Sequence, residues 1–239
     1  MKSVAGRTAI VTGASRGIGA EIARQLIGEG ARVALAARGA AALEKLAGEL
    51  GDGALPLECD VTDQLSVAGA AARVREAFGS APDIIVNNAG TFRVAPIDTM
   101  SPEDFIASVS TNLIGPFLML HEFLSEMRER KSGHVITIGS AGDRQVFPGN
   151  AGYNAGKFGL RALHEVLRLE LKGTGVRATL ISPSSVDTQL WDELDTESES
   201  SNFPSRKEML HPNAVCRAVM FALTQPALVN IDELRLSRA

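Results

Sequence analysis

The amino-acid sequence predicts a single α/β domain built on a doubly wound, seven-stranded parallel sheet. Three observations carry this expectation. Short, almost continuously apolar runs recur from end to end, as strands covered on both faces require. Amphipathic stretches of helical period separate them. The first run ends in a glycine-rich turn that opens a helix, the connection with which such sheets hold phosphates.

Taken in order, the runs are 8–11, which halts at Gly13, then 32–37, 54–58, 83–87, 134–139, 176–182 and 230–236. The helical stretches between them are 18–29, 40–50, 63–78, 102–130, 153–172 and 212–224. Crossovers between parallel strands are expected to be right-handed. No repeat or linker divides the chain, so 1–239 reads as one domain. Residues 187–210 break the alternation with clustered Asp, Glu and Ser, too polar for a core. Such a segment after the sixth strand is expected to be a surface loop serving as a lid over substrate.

Composition excludes several classes. The 24 Lys and Arg against 28 Asp and Glu leave a net charge of −4, which argues against a nucleic-acid or anionic-membrane surface. No apolar run approaches the ~20 residues of a membrane span. The opening Met1-Lys2-Ser3-Val4 reaches a strand too soon for a signal peptide. Cys59 and Cys216 stand alone, without metal or redox spacing, and read as reduced thiols of a cytoplasmic protein with no metal site.

Two local patterns carry chemistry. In Thr12-Gly13-Ala14-Ser15-Arg16-Gly17-Ile18-Gly19, Gly13 suits the tight turn and Gly17 admits a pyrophosphate against the backbone. Gly19 allows close helix–strand packing, and the helix N-terminus offers N–H groups to the anion. The spacing lacks the Gly-Lys-Ser/Thr end of a P-loop. The second pattern is the single tyrosine, Tyr153, four residues before Lys157 and thirteen after Ser140. At helical spacing the ammonium lies beside the phenol, and a nearby cation lowers a phenol's pKa toward neutrality. Such a tyrosine can act as a general acid or base. A hydrolase elbow would need Gly two residues before the serine, where Ile138 stands. His121 and His164 lie within helical stretches, and His134 and His211 at element starts, so surface or capping roles are expected for all four.

These motifs, with Asp60-Val61, Asn87-Asn88-Ala89-Gly90 and Asn112, occur in one order along essentially the whole chain. In this the chain resembles the short-chain dehydrogenase/reductase family in its single-domain branch, and within it the 3-oxoacyl-carrier-protein reductase type. The resemblance implies a Rossmann-type sheet and a small-molecule carbonyl or alcohol substrate, interconverted by hydride transfer with NADP(H). It implies that Asp60 and Val61 hold the adenine and that Asn87, Ala89 and Gly90 line the cofactor channel. Pro183, Val186 and Thr188 flank the nicotinamide carboxamide and the pyrophosphate. Asn112 then kinks its helix and holds a relay water, Ser140 steadies the substrate oxygen, and Lys157 also holds the nicotinamide ribose. Dimers or tetramers through the helices at 102–130 and 153–172 are implied too. After strand six the family pattern has Pro-Gly, whereas this chain has Pro183-Ser184, which puts the local backbone path in question.

Cofactor choice turns on the end of the second strand. An NAD binder places an acid there for the ribose 2′-hydroxyl, and the matching position is Ala37, followed by Arg38. Arg38 and Arg16, without a carboxylate, suit the 2′-phosphate of NADP. Substrate walls are expected from Gly142, Gln145, Phe147 and Trp191, with Arg93 and Val94 nearby. Arg206-Lys207 is the one basic pair in the lid, which by itself does not support an acyl-carrier-protein substrate. The alternative reading is a non-catalytic NADP-binding sensor on the same fold. It leaves the Ser140–Tyr153–Lys157 set without a purpose.

Overall fold

A computed structural model describes residues 4–192, 194, 196 and 203–239. Seven strands form one wholly parallel sheet in the order β3-β2-β1-β4-β5-β6-β7. They are β1 (Thr8–Thr12), β2 (Arg32–Ala37), β3 (Ala54–Glu58), β4 (Ile84–Asn87), β5 (Gly133–Ile138), β6 (Val176–Pro183) and β7 (Glu233–Leu236). The helices are α1 (Gly17–Gly28), α2 (Ala40–Leu50), α3 (Gln64–Phe78), α4 (Pro102–Val109), α5 (Gly115–Glu129), α6 (Ala151–Glu170) and α7 (Pro212–Leu223). The fold is thus the single Rossmann-type domain that the alternation implies.

Side chains alternate between faces along each strand, so the sheet has two cores. Ala9 and Val11 of β1 join Val33, Leu35, Ile84, Val86 and Ile181 beneath α1, α2 and α7. Ile10 points the other way, with Ala34, Ile85, Val135 and Ala178, against α3, α5 and α6. Helix ends follow local chemistry. The Asp63 carboxylate caps α3 by accepting from the Leu65 N–H at 2.9 Å, and Gly79 ends it in a left-handed conformation (φ 80°). Ser101 caps α4, with Pro102 in its first turn.

The stretch expected as one helix over 102–130 is interrupted. Ser110–Ile114 forms a π-helical turn between α4 and α5. Asn112 lies in it, fully buried, and its amide donates to the carbonyls of Thr91 and Ser108, each at 2.9 Å. A side chain that bonds back to the carbonyl four residues earlier distorts the helical ladder locally.

Two histidines depart from the expected surface or capping roles. His134, in β5, and His164, in α6, are both buried. His134 Nε2 pairs with Thr179 Oγ1 at 2.8 Å and His164 Nδ1 with Thr137 Oγ1 at 2.9 Å. Burial holds the His134 imidazole well below its usual value and the His164 imidazole down to about 4, so both are neutral hydroxyl partners in the core. His211 does cap α7, accepting from the Asn213 N–H at 3.2 Å.

The strand order reverses between β1 and β4. A crevice therefore opens beyond their carboxyl ends, where this class of sheet binds ligands. Thr12 and Asn88 stitch that edge. Thr12 Oγ1 accepts from the N–H groups of Asn88 and Ala89, both at 3.0 Å, and Asn88 Nδ2 donates to Thr12 O at 2.8 Å.

Packing of α5 gives a direct test of the second core. Phe123 is fully buried, with the Arg75 guanidinium over its ring at 5.2 Å from the ring centre. Phe123→Ala is expected to lower unfolding free energy by about 3–5 kcal/mol, through lost burial and the cavity left behind. Urea denaturation followed by circular dichroism checks it.

Candidate active site

The glycine turn at the end of β1 is shaped as a cradle. Gly13 and Gly17 have φ of 65° and 58°, the left-handed region that favours glycine. A Cβ on Gly19 would lie 2.4 Å from the Gly13 carbonyl oxygen. Helix α1 begins at Gly17 with no side chain capping it and no acid in its first turn, which leaves its N–H groups available to an anion. Thr188 faces this turn: a Cβ on Gly17 would touch its side chain at 3.4 Å. A cleft of about 530 Å³ runs along it, lined by Ser15, Arg16, Gly17, Thr188, Arg206 and others, while Ile18 turns its side chain to the core under α1.

The adenosine side is less uniform. Ala37 ends β2 without a carboxylate, and Arg38 and Arg16 are both exposed. Asp60 accepts from the Thr62 N–H and hydroxyl at 2.9 and 2.8 Å. Partial burial opposes its charge, but these bonds and the positive Arg38 hold its carboxyl below the usual range. Val61 packs against Gly115 at the end of the π turn, where an added Cβ would come within 2.8 Å of it. Asn87 is buried at the end of β4 and neither of its amide atoms has a hydrogen-bond partner. Gly90 follows Ala89 in the same bend. A Cβ there would lie 3.0 Å from Asn112 Oδ1 and 4.0 Å from Lys157 Nζ. Asn112 Oδ1 is itself buried and unpartnered. Orphaned polar atoms and glycines without room for a Cβ fit a nicotinamide dinucleotide along this channel.

Ser140, Tyr153 and Lys157 converge beyond β5. Ser140 opens a short 3-10 turn, Ala141–Asp143, and its hydroxyl accepts from the Gly142 N–H at 3.0 Å. Tyr153 lies in the first turn of α6, with its phenol near enough to the Ser140 hydroxyl for that group to favour its ionised form. Lys157, one turn on, is buried with Nζ 5.8 Å from the Tyr153 ring centre, and it donates to Ile138 O at 2.9 Å. Helix α6 lies close enough because Gly156 faces Asn112, whose Cβ would be 2.8 Å from an added methyl group.

The expected lowering of the phenol by Lys157 is overturned. Tyr153 keeps some exposed surface, but it is crowded by Ser140, Gly142 and Phe92, and this burial pushes the phenol up to about 12. The Ser140 hydroxyl pulls downward and the Asp143 charge pushes further up. Burial also brings Lys157 down to about 8, opposed by Asp143. Desolvation penalises phenolate and ammonium alike, and here it outweighs the attraction between them.

The expected substrate walls divide. Trp191 is buried, donates its indole N–H to Val186 O at 3.0 Å, and packs on Phe92 with ring centres 5.2 Å apart. Phe92 in turn stands edge-on to Tyr153 at 4.8 Å, and Phe203 closes the aromatic group. Gly142 lies against the Tyr153 ring, 3.0 Å from an added Cβ. Phe147 lies elsewhere, in an apolar groove with Ile97, Val146 and Phe158, and the Gln145 side chain is exposed. Asn154 explains this: buried next to Tyr153, it pins the loop by bonding Phe147 N, Gly142 O and Gln145 O. Phe92, Asn154 and Asp143 were missed by sequence reasoning. Only Asp143 had a local signal there, three residues after a serine in capping-box spacing.

Pro183 ends β6, buried, and Ser184 donates its N–H to Leu236 O at 2.8 Å. The question over Ser184 is answered by its backbone. Among the described residues Lys131 is the one non-glycine with positive φ (52°), so serine at 184 carries no left-handed strain. Of the expected lid, Glu193, Asp195 and 197–202 lie outside the described residues. Its ends meet at a parallel bridge between Val186 and Leu210, and Arg206 pairs with Asp187 at 2.6 Å and Asp192 at 3.1 Å.

Fold and site together define a nicotinamide-dependent type of oxidoreductase, and comparison with known proteins agrees. Residues 7–199 match the short chain dehydrogenase family model. An uncharacterised oxidoreductase of Staphylococcus haemolyticus is 36% identical over 98% of this chain and 97% of its own length. A metagenomic short-chain oxidoreductase solved in complex with NADP superposes with TM-score 0.84 at 33% identity, covering 100% of this chain and 99% of that one. A 3-ketoacyl-(acyl-carrier-protein) reductase of Brucella melitensis, complexed with NADH, gives TM-score 0.88 at 27% identity, covering 98% of each chain. The chain belongs to the short-chain dehydrogenase/reductase family and is an oxidoreductase.

Because Tyr153 is the only tyrosine, its ionisation can be followed alone. The folded protein is expected to show no tyrosinate transition at pH ~10, where the urea-unfolded chain titrates. Its midpoint is expected near 12. An ultraviolet difference titration decides this, and a folded-state midpoint at or below 10 contradicts the dominance of burial.

Proposed function

We propose that this oxidoreductase interconverts a carbonyl and a secondary alcohol with NADP(H), using Tyr153 as general acid and base. The observation that carries the proposal is the convergence of Ser140, Tyr153, Lys157 and Asn112 beside the crevice at the strand reversal. When bound, the nicotinamide supplies the hydride to the carbonyl carbon or accepts it from the alcohol carbon. Tyr153 gives its phenolic proton to the substrate oxygen in reduction and takes it back in oxidation. Ser140 steadies that oxygen as charge develops on it. Lys157 holds the nicotinamide ribose, and the unpartnered Asn112 Oδ1 is suited to a relay water between Lys157 and solvent. Phe92, Trp191 and Phe203 favour an apolar end on the substrate.

The glycine turn with Ser15, Ile18 and Thr188 would hold the pyrophosphate, and Asp60, Val61, Asn87, Ala89 and Gly90 the adenosine side and channel. Pro183 and Val186 would flank the carboxamide. Structural relatives are found with either NADP or NADH, so likeness alone leaves the choice open. Ala37 with Arg38 and Arg16 favours the 2′-phosphate. Exposed apolar residues on α4–α6, among them Ile106, Phe117, Val166 and Leu169, support a homodimer or homotetramer. No helix among the described residues is long and apolar enough to cross a membrane, and with two buried free cysteines this supports a cytoplasmic setting.

Two expected outcomes test the reading. Tyr153→Phe abolishes ketone reduction while NADPH affinity, measured by fluorescence titration, stays within about threefold. Equal loss of both would make Tyr153 a cofactor anchor instead. Ala37→Asp with Arg38→Ala moves preference toward NADH, because the acid binds the 2′-hydroxyl and repels the 2′-phosphate. The ratio of kcat/KM for the two cofactors is expected to change by about a hundredfold. A parent protein that already prefers NADH sinks the arginine argument.

A further inference from the structure

Asp143 has no part in the roles above, yet the end of the site is assembled around it. Its side chain is fully buried at the close of the turn that Ser140 opens. Oδ2 accepts from the Ser182 hydroxyl of β6 and from the Ser140 N–H at 3.2 Å. Oδ1 accepts from Arg144 Nε at 2.7 Å. Arg144 then reaches Glu233 of β7 at 2.8 Å. Gly139 has no side chain because none fits: a Cβ would lie 2.6 Å from Asp143 Oδ2 and 2.7 Å from Ser182 Oγ. One carboxylate thus ties the ends of β5, β6 and, through Arg144, β7.

This arrangement bears on the reacting groups in two ways. The first is geometric. With its backbone fixed and its oxygen occupied by the Gly142 N–H, Ser140 has its one hydroxyl hydrogen to direct at Tyr153 or a substrate oxygen. The second is electrostatic. Arg144 is shared between two carboxylates, so Asp143, Arg144 and Glu233 together leave one net negative charge behind the site. Asp143 is the charged side chain that acts on both Tyr153 and Lys157. The π turn, β6 and the loop after β4 face this region with the uncharged Asn112, Ser182 and Phe92.

We propose that Asp143 is a positioning residue of this centre, fixing the Ser140 turn and biasing Tyr153 and Lys157 toward the protonated pair that gives a proton to a carbonyl. Reduction draws on the protonated phenol, whereas oxidation needs the phenolate to take the proton back. A negative charge at Asp143 favours the first form and disfavours the second. The inference rests on the reading of Tyr153 as the general acid, and its test therefore includes a measurement that does not depend on turnover.

The full chain carrying Asp143→Asn, which keeps the shape and one acceptor oxygen, is compared with the parent. Removing the charge is expected to move the ultraviolet tyrosinate midpoint down by about one pH unit. The alkaline limb of NADPH-dependent ketone reduction, governed by Lys157, moves down with it. The acidic limb of NADP-dependent alcohol oxidation also moves down, so kcat for oxidation at saturating substrates and neutral pH rises by up to about tenfold. Arg144→Gln removes the cation instead and is expected to move the alkaline limb of reduction upward, which keeps the test alive if Asp143→Asn does not fold. Lost activity with unmoved titration and unmoved limbs overturns the proposal, because a purely structural carboxylate would behave that way. A shifted tyrosinate midpoint in a protein that turns over no ketone sinks the carbonyl reading of the site while upholding the hold of Asp143 on Tyr153.

Discussion

The site depends on how closely α6 can lie against the helix pair before it. Gly152, Gly156 and Gly159 form the contact surface, and a methyl group on any of them would come within 3.0 Å of Ser108, Asn112 or Leu113. Removing side chains from this seam brings backbone against backbone, and the π turn widens the facing helix just where Asn112 must fit. That spacing decides where Tyr153 and Lys157 stand relative to β5. Lys157 reaches the Ile138 carbonyl across it, and Asn112 Oδ1 comes to the same corner from the other side.

A second constraint is the low polarisability of the place where these groups meet. Placing an ammonium beside a phenol does not by itself yield an acidic phenol. The same packing that brings the two together removes water from both, and each charged form loses more hydration than it recovers from its neighbour. The free protein accordingly holds its tyrosine firmly protonated and its lysine only moderately so. Counter-charges placed behind the pair then matter more than they would at a surface, since the interior screens them weakly.

Most of the fold was legible from residue patterns, for a physical reason. Parallel strands buried on both faces must be apolar along their length, and the run at 32–37 coincides with β2 to the residue, as does that at 54–58 with the part-buried edge strand β3. The glycine turn was legible because backbone approach and positive φ each demand glycine. What escaped depends on contacts distant in sequence. His134 and His164 meet threonines on neighbouring strands, which no local window contains. The Phe92–Tyr153 contact joins a loop to a helix 61 positions later. Phe147 and Tyr153, six residues apart, were expected to share a wall, but Asn154 folds the intervening loop so that they serve different surfaces. The phenol's ionisation was misjudged because sequence reveals the neighbouring charge and hides the burial.

The bridge between Val186 and Leu210, with the Asp187 N–H bonded to Leu210 O and the Leu210 N–H to Ser185 O, clamps the two ends of the intervening chain together. The main chain that leaves at Val186 thus returns beside it at Leu210. The entropy of such a loop grows only logarithmically with its length, so inserting or deleting several residues changes stability little. Length can therefore change within this loop at little cost, provided that Thr188 still faces the glycine turn and that Trp191 and Phe203 still pack on Phe92.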